Sequence, residues 1–567
     1  MLLESLRSFA EHEERLPRFY ARQRVGYRID LDSKGRLISL IEVDQNAPEC
    51  VIPYVTRTSQ ASPLPIDRGD YVLGIATSHP TRIPAGERHA FWIALLDRMA
   101  SATEVREVKA VHRFASSVNP TKLKLPKGFD ASRFVAIYVN GVFFPDDKRV
   151  RTWWREIQLA QTNVGSDAIT ECSVCGKRGP VVENVTTQVR GLVKIGGKST
   201  MALVSGNLEV FERHGLPRAS GAAICRSCGE STHQALNQLI RDPVRSKQLG
   251  NTEFLWWATE PVADFIGALL AGDSEEAVAE VFQGILTGRM LPSVSTARFH
   301  AVSLGANVNR VMVRSWVDIT LREALANARS WLDRVAVIDH GGNALRRPGL
   351  WSLVASLAPA GTGSVFGRVR PGLIDDLLRS ALTGAPLPYG VFVQCLERLR
   401  AEQGRVTTPR ASLLKVFLTQ FNKEGSLTQL DSADSDPAYL CGRLLALLDR
   451  ASRLATTANN SLVDRSYAAA STMPALTFPR LIKLHRAHID KLRRDKPGAA
   501  YRIQESVEAV VSGLHEFPKT FGPTEQGRFA LGLYHQMAAD HAAATAARAA
   551  RDSKGDGERE EIDEEEE

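Results

Sequence analysis

Two matched cysteine pairs are the feature that most constrains this chain. They read Cys172-Ser-Val-Cys175 and Cys225-Arg-Ser-Cys228, a glycine follows each pair, and 49 residues separate them. Two thiolates three positions apart can bind one tetrahedral metal ion, and the glycine lets the backbone turn back toward the sulfurs. The pattern predicts a structural Zn²⁺ held by all four cysteines. A redox dithiol and unmetallated thiols are the alternatives that the spacing leaves open.

The remaining cysteines, Cys50, Cys395 and Cys441, are scattered along the 567 residues. Scattered cysteines argue against a disulfide framework and favour a reducing compartment. The first residues carry Glu4 where a signal peptide would be apolar, and no run of 18 apolar residues occurs. We therefore expect a cytoplasmic protein with no membrane segment.

The charge of the chain is unevenly distributed. Residues 552–567 hold ten acids and two bases, a net charge of −8. Because the whole chain has a net charge of +7, residues 1–551 carry +15. A body this basic suits a polyanion, and nucleic acid is the first candidate, although surplus surface lysine is the plainer interpretation. The acidic segment is predicted to be disordered.

The periodicity predicts an α+β protein in which a mixed α/β region precedes a helical bundle. Tyr27 to Val43 alternates around a turn, and Phe134 to Asn140 is typical of a buried strand. Beyond Pro371 the strand patterns fade. We predict a mixed region over 1–370, with an inserted Cys₄ zinc-knuckle segment at 171–230, and a bundle over 371–551.

Helical spacing recurs through the second half of the chain. The helices it predicts cover 373–382, 389–403, 411–421, 437–456, 478–494, 501–514 and 524–550. Two more, 2–16 and 150–161, are predicted in the first half. In the helix Phe478 to Arg494 we expect Leu481, Leu484, His488 and Leu492 to share one face.

Three groups of polar and basic residues are candidates for contacting nucleic acid. Arginine and glutamine can bond to base edges, hydroxyl groups suit phosphates, and a row of cations can follow a single strand. A solvated surface is the alternative interpretation for each group. The groups are Arg57, Ser59 and Gln60 in a loop, Arg190, Lys194 and Lys198 between the cysteine pairs, and Lys483, Arg486 and Arg494 on a helix.

Catalytic patterns are sparse. Gly196-Gly-Lys-Ser199 lacks the first glycine of a phosphate loop, because Leu192 stands in its place. Asp339-His340 pairs one acid with one histidine, short of the ligand set that a metal-dependent nuclease needs. We therefore predict that the chain is not an enzyme.

Five long strings carry a resemblance to a known family. In order and spacing they resemble the large subunit of the type I-C CRISPR surveillance complex, Cascade, and the likeness covers nearly the whole chain except the acidic tail. The strings are RTSQASPLPIDRGDYVLG at 57–74, RFHAVSLGANVNR at 298–310, YLCGRLLALL at 439–448, DRSYAAASTMPALTFPRL at 464–481 and EQGRFALGLYHQ at 525–536.

The resemblance implies a non-catalytic, DNA-binding and RNA-associated subunit in antiviral defence. Its partners would be the crRNA-bound backbone subunits, small subunits, the target double-stranded DNA with its displaced strand, and a helicase-nuclease recruited after the R-loop forms. The protein would contact the PAM duplex and help unwind the DNA, leaving most of the sequence to guide-RNA pairing. The bundle would resemble the small subunit. The four cysteines depart from the family pattern, so the metal prediction depends on their spacing.

Two other functions are compatible with the residues alone. A zinc-ribbon regulator would bind a DNA sequence without any RNA. A metal-dependent nuclease would require Asp339 and His340.

Overall fold

The computed structural model describes residues 1–12, 16–44, 46–55, 59–160, 169–206, 218–259, 265–271, 297–370, 372–420, 427–456 and 461–565. They form two compact units. The first comprises Met1–Ser246 with Gly305–Met312, and the second comprises Lys247–Leu304 with Val313–Glu567.

A mixed sheet organises the first unit. Its strand order is β3-β2-β6-β5 with β7 paired to β6, and β2 and β6 run parallel. Short antiparallel pairs join β1 to β4 and β8 to β9. The strands are β1 Tyr20–Gln23, β2 Val25–Leu31, β3 Leu37–Glu42, β4 Cys50–Pro53, β5 Asp67–Arg68, β6 Phe134–Val139, β7 Val142–Phe143, β8 Ile169–Glu171 and β9 Arg178–Pro180.

Helices cover the sheet and complete the core of the first unit. Alternate residues of β2, such as Ile29, are fully buried, and they pack with Trp92 and Leu96 of α3 and Val108 of α4. Period-2 alternation buries one face of a strand, as observed. The helices are α1 Leu2–His12, α2 Gly69–Val72, α3 Ala85–Thr103, α4 Arg106–Ser117, α5 Lys148–Ala160 and α6 Arg226–Arg241.

A four-stranded sheet follows in the chain, with the order β10-β11-β12-β13. β11 and β12 pair antiparallel, with Phe254 opposite Ser303. A separate small hairpin is formed by β14 and β15. The bounds are β10 Ser246–Leu249, β11 Thr252–Ala258, β12 Arg298–Asn307, β13 Arg310–Thr320, β14 Val337–Ile338 and β15 Leu345–Arg346.

The helices of the second unit pack around one extended core. At its centre α13 crosses α17, and both run through the strings that carry the family resemblance. The helices are α7 Phe265–Ala271, α8 Leu321–Val335, α9 Leu350–Leu357, α10 Leu373–Thr383, α11 Tyr389–Ala401, α12 Thr408–Thr419, α13 Pro437–Ala455, α14 Leu462–Ala470, α15 Pro474–Asp495, α16 Pro497–Ser512 and α17 Pro523–Glu565.

The α+β prediction is confirmed, with sheets toward the N-terminus and helices toward the C-terminus. The division between the units, however, lies well before residue 370. Phe254, Phe299 and Trp331 are buried in the same core as Leu444 and Phe529, so residues before 370 fold with the bundle. The functional roles assigned to the predicted domains stay predictions.

Two further features concern the chain as a whole. The last helix runs Pro523–Glu565 and so includes most of 552–567, whose disorder in solution stays a prediction. Among the described residues, no helix has both the length and the apolar composition needed to span a bilayer.

Candidate metal centre and nucleic-acid interface

The two cysteine pairs occupy different local structures. Cys172 and Cys175 lie in the turn between β8 and β9. Cys225 directly precedes α6, and Cys228 lies in the first turn of that helix. A β-hairpin turn and a helix start therefore supply two thiols each to one site.

The geometry of the four thiols fits a tetrahedral metal ion. All four Sγ atoms lie within 4.8 Å of one another. The Sγ atoms of Cys175 and Cys225 are 3.9 Å apart, close to the about 3.8 Å that Zn–S bonds of about 2.3 Å give in a tetrahedron. Cys172 and Cys228 are buried, whereas the other two are partly exposed. Four thiolates would fill the coordination of a Zn²⁺ ion, which is the closed arrangement of structural sites.

The backbone supports the first cysteine pair as the sequence predicted. Gly176 has φ +67° and donates its N–H to the carbonyl oxygen of Cys172 at 2.8 Å. Across the site, the N–H of Cys225 donates to Cys172 Sγ at 3.3 Å. The second glycine differs from expectation because Gly229 lies within α6, where the Cβ of any other residue would meet Val185. That glycine provides space for packing and does not form a turn.

The thiols perturb one another electrostatically. Hydrogen bonding from the Cys228 thiol, followed by other bonds at the site, lowers the pKa of Cys225 to about 5. The pKa of Cys228 is raised, because its thiol hydrogen-bonds to Cys225 and is buried. The centre thus favours one thiolate even before a metal ion displaces the remaining protons.

A small apolar cluster surrounds the sulfurs. Val174 and Ile224 are buried with the cysteines, and Leu3 of α1 packs against them. This cluster is far smaller than the cores beneath the main sheet and in the helical unit. A bound metal ion would therefore contribute much of the local stability, because it joins the β8–β9 hairpin to α6.

Arg190, predicted to contact nucleic acid, is held inside the first unit. Its guanidinium donates to the hydroxyl of Tyr54 at 2.6 Å and to Gln23 Oε1 at 3.4 Å. Its backbone N–H donates to Asn237 Oδ1 at 2.8 Å. These partners are far away in the sequence, and no local pattern identifies them. Arg190 therefore lines a cavity instead of extending freely into solvent.

Lys194 and Lys198 lie in an exposed turn. Residues Val193–Ile195 form a short 3₁₀ helix, and Gly196 follows with φ +91°. Both lysines are exposed. The turn thus presents positive charge to solvent, as the nucleic-acid prediction requires.

In the loop before α2, the described candidate residues form hydrogen bonds within the protein, which the sequence did not indicate. Arg57 falls outside the described residues, and Ser59 Oγ accepts the N–H of Ala61 at 3.1 Å. Gln60 Oε1 accepts the N–H of Ile83 at 2.9 Å, and the Gln60 carbonyl accepts the Tyr71 hydroxyl. Since bidentate adenine recognition needs both the amide oxygen and the NH₂ group, Gln60 is engaged in a way that competes with that role.

A buried ion pair explains part of the same sequence string. Asp70 is fully buried and pairs with Arg88, which is 1% exposed, and with Arg68 at 3.2 Å. Asp67 accepts the backbone N–H groups of Leu64 and Arg68. Neither role was predicted, because Arg88 is 18 positions from Asp70 and the backbone groups that Asp67 accepts from leave no side-chain pattern. Asp67 and Asp70 of this string therefore stabilise the segment in which they lie.

The third candidate group lies on α15, whose polar side exposes Lys483, Arg486 and Arg494. The opposite face differs from the prediction, because the helix buries Leu481, His485, Ile489 and Leu492. Leu484 is 42% exposed, and His488 is only partly buried. The apolar stripe is rotated by about one position, and the basic residues still face solvent.

Asp339 and His340 are engaged locally. Asp339 Oδ1 accepts the N–H of Asn343 at 2.9 Å, and the Asp339 carboxylate lies 3.9 Å from Arg346. The ring of His340 lies 4.9 Å from that of His541. Within the described parts of the chain, the four cysteines are the one group of three or more residues positioned to hold a metal ion.

Comparison with known proteins gives one finding. No curated protein matches this chain. A family model described as CRISPR-associated protein (Cas_Csd1) matches residues 2–540, nearly the whole chain, and includes the cysteine site and both groups of exposed basic residues. The chain belongs to the Csd1 family of CRISPR-associated proteins.

Proposed function

We propose that this chain is the non-catalytic large subunit of a type I-C crRNA-guided surveillance complex, Cascade. The family match over residues 2–540 is the observation that carries the proposal. The five strings that resemble the type I-C large subunit supply the subtype. The surplus of positive charge in residues 1–551 supplies affinity for a phosphate backbone.

Within such a complex the two units have separate roles. The first unit, with Lys194 and Lys198 in its exposed turn, contacts the PAM duplex and helps open it. The second unit, with Lys483, Arg486 and Arg494 on α15, holds the displaced strand beside the small subunits. The opened complex then supports recruitment of a helicase-nuclease, and cutting belongs to that partner.

The cysteine centre has a structural part in this proposal. Four protein thiolates leave no position on Zn²⁺ for substrate or water. The centre fixes α6 and the β8–β9 hairpin, and α6 in turn positions Arg190 through Asn237. The zinc ion thus keeps the surface near the basic turn in one conformation.

The basic residues of α15 allow a stage-specific test. The variant Lys483→Gln/Arg486→Gln/Arg494→Gln is co-expressed with guide RNA and the other subunits, and the matched control is Arg322→Gln/Arg329→Gln/Arg379→Gln, which removes three exposed charges elsewhere in the second unit. We expect the first variant to assemble normally and to weaken the opened-DNA state more than initial PAM docking. Removing three single-strand phosphate contacts should lower the salt slope of binding by about 2.

Each outcome bears on the proposal. Equal loss at both stages would show that the displaced strand does not lie on α15. Failure of the unmodified chain to co-purify with a crRNA-bound complex would refute the proposed function itself. Selective binding of one DNA sequence without RNA would instead favour the zinc-ribbon regulator.

A further inference from the structure

A cavity in the first unit is not used by any role described above. It has a volume of about 170 Å³ and lies between β1, the segment 187–190 and one face of α6. Gln234, Asn237, Gln238 and Arg241 face it from α6, at the spacing that places residues on one side of a helix. Sites for drug-sized ligands usually measure about 300–1,000 Å³, so this cavity suits a smaller chemical group.

The lining combines amides, arginines and aromatic rings. Five of its residues are glutamine or asparagine and three are arginine, and none of the described residues that line it is acidic. Tyr20 and Tyr54 add aromatic surface. The Arg190 guanidinium lies 4.9 Å from the centre of the Tyr54 ring. An electropositive pocket rich in amides is suited to a ligand with both hydrogen-bonding edges and negative charge.

Several of these polar groups have hydrogen-bonding capacity left over. Asn237 is engaged at both ends of its amide, because its Oδ1 accepts the backbone N–H of Arg190 and its Nδ2 donates to the Gln188 carbonyl. Gln234 donates through Nε2 to the Tyr20 carbonyl at 3.3 Å, and its Oε1 can still accept a hydrogen bond from a ligand. The Nε2 of Gln23 is buried and finds no acceptor among the described residues. Buried donors are normally satisfied, and Gln23 lines the cavity, so an acceptor bound there would satisfy this donor if the side chain turns toward it.

A nucleobase matches this set of groups. Glutamine side chains form paired hydrogen bonds with base edges, and bases stack on tyrosine rings. Arg22 and Arg241 are exposed at the rim, where Arg241 also pairs with Glu49 at 3.5 Å. Arginines in that position can meet the phosphate that accompanies a base.

We propose that this cavity binds one unpaired nucleotide, with its base between the Arg190–Tyr54 pair and the glutamines of α6 and its phosphate at Arg22 and Arg241. The inference rests on the proposed nucleic-acid function and deepens it, because it assigns recognition of a single unstacked base to the first unit. A base inside a duplex cannot enter, so the nucleotide is either free or displaced from a strand.

The test uses the full-length chain and two isosteric changes. Gln234→Leu/Gln238→Leu removes the amides that face the cavity and keeps the side-chain size, whereas Gln504→Leu makes the same change on the partly exposed side of α16. The probes are a short single-stranded oligonucleotide, an abasic strand of the same length, and the four nucleoside monophosphates. Zinc content and the thermal midpoint of each variant show whether it has folded.

We expect the double variant to bind the oligonucleotide at least about ten-fold more weakly. Its salt slope and its affinity for the abasic strand should stay unchanged, because the phosphate contacts remain. If a monophosphate binds with the same sensitivity to the double variant, the ligand is a free nucleotide. If only oligonucleotide binding is weakened in the double variant, the base comes from a strand.

Two results would overturn the inference. In one, the folded double variant binds every probe as the unmodified chain does. In the other, the oligonucleotide and the abasic strand lose affinity equally, which would mean that no base is held. Either result leaves assembly with crRNA-bound subunits intact, whereas failure of the proposed function would appear as loss of that assembly.

Discussion

At the scale of single residues, two buried polar contacts stabilise the units and were not visible as motifs. Asp70 and Arg88 pair in the interior of the first unit, 18 positions apart. His535 is fully buried in the second unit, where its Nδ1 lies 3.0 Å from the Tyr439 hydroxyl. Both contacts lie within or beside strings of the family resemblance, so those strings encode contacts that stabilise the fold.

Removing the buried carboxylate should be costly. Asp70→Asn leaves the Arg88 guanidinium without its counter-charge, so we expect the free energy of unfolding to fall by about 3–5 kcal/mol. Glu42→Gln is the matched control, because Glu42 pairs with Arg133 at the surface, where such pairs contribute about 1 kcal/mol or less. Urea unfolding of both variants measures the difference. Similar losses in the two variants would contradict this reading of Asp70.

The buried histidine should make the second unit sensitive to acid. Burial, together with the Lys415 ammonium, lowers the pKa of His535 to about 4, against about 6.5 in an unfolded chain. Between those values the unfolded chain binds the proton and the folded chain does not, so stability falls as the pH drops from about 6.5 to 4.

His535→Asn should flatten that pH dependence by up to one proton, and the exposed His515→Asn should not change it. Denaturation at several pH values across this range gives the slope. Burial also lowers the pKa of His485 to about 4, so His485 still contributes to the pH dependence of stability in both variants. An unchanged slope in His535→Asn would mean that this histidine is protonated in the folded chain.

At the scale of secondary-structure elements, the crossing of α13 and α17 is the tightest contact in the second unit. A Cβ on Gly442 would collide with the Phe529 carbonyl, and one on Gly532 would collide with the Tyr439 carbonyl. Backbone atoms cannot move aside as a side chain can. The two glycines therefore allow the helices to approach closely.

Gly532→Ala should separate these helices. We expect the free energy of unfolding to fall by about 1–3 kcal/mol, the usual cost of overpacking a core. Gly390→Ala is the control, since a Cβ there meets no atom within 4 Å and alanine favours a helix. Thermal unfolding of the two variants compares them directly. A stable Gly532→Ala protein would show that the crossing tolerates a wider spacing.

The elements also show how far a sequence alone can predict this structure. Most predicted helices after residue 371 begin and end within a few positions of the observed ones, because a long apolar period of 3.6 determines them. The predicted buried face of α15 was wrong. Leu481 and Leu492 fit both possible faces, and packing buries His485 and Ile489 between them instead of Leu484 and His488. The Cys₄ cluster was predicted because its ligands come in adjacent pairs. The contact between Arg190 and Tyr54 joins residues 136 positions apart and has no local signal.

At the scale of the whole molecule, the four-cysteine site lies in the first unit, whereas the second unit has one large apolar core. We therefore expect the two units to depend on metal to different degrees. The small cluster around the sulfurs cannot maintain the local fold as the helical core can.

Metal analysis should find one zinc ion per chain. Cys172→Ser, or removal of zinc by a chelator, should increase hydrogen exchange in 169–206 and in α6, while exchange in α13 and α17 stays unchanged. Metal-coupled folding of the cysteine segment is the reason for this difference. A gently purified protein without zinc, or uniform exchange changes in both units, would contradict the structural role of the centre.

The central claim is that this chain binds DNA through charge and leaves most sequence recognition to a guide RNA. The most direct test compares the isolated chain with the complete crRNA-bound complex on matched and mismatched DNA targets at two salt concentrations. The account predicts that the isolated chain binds both targets alike, weakly, with steep salt dependence and no cleavage, and that only the complex discriminates them. Selection of the matched target by the isolated chain, or cleavage of either target, would contradict it.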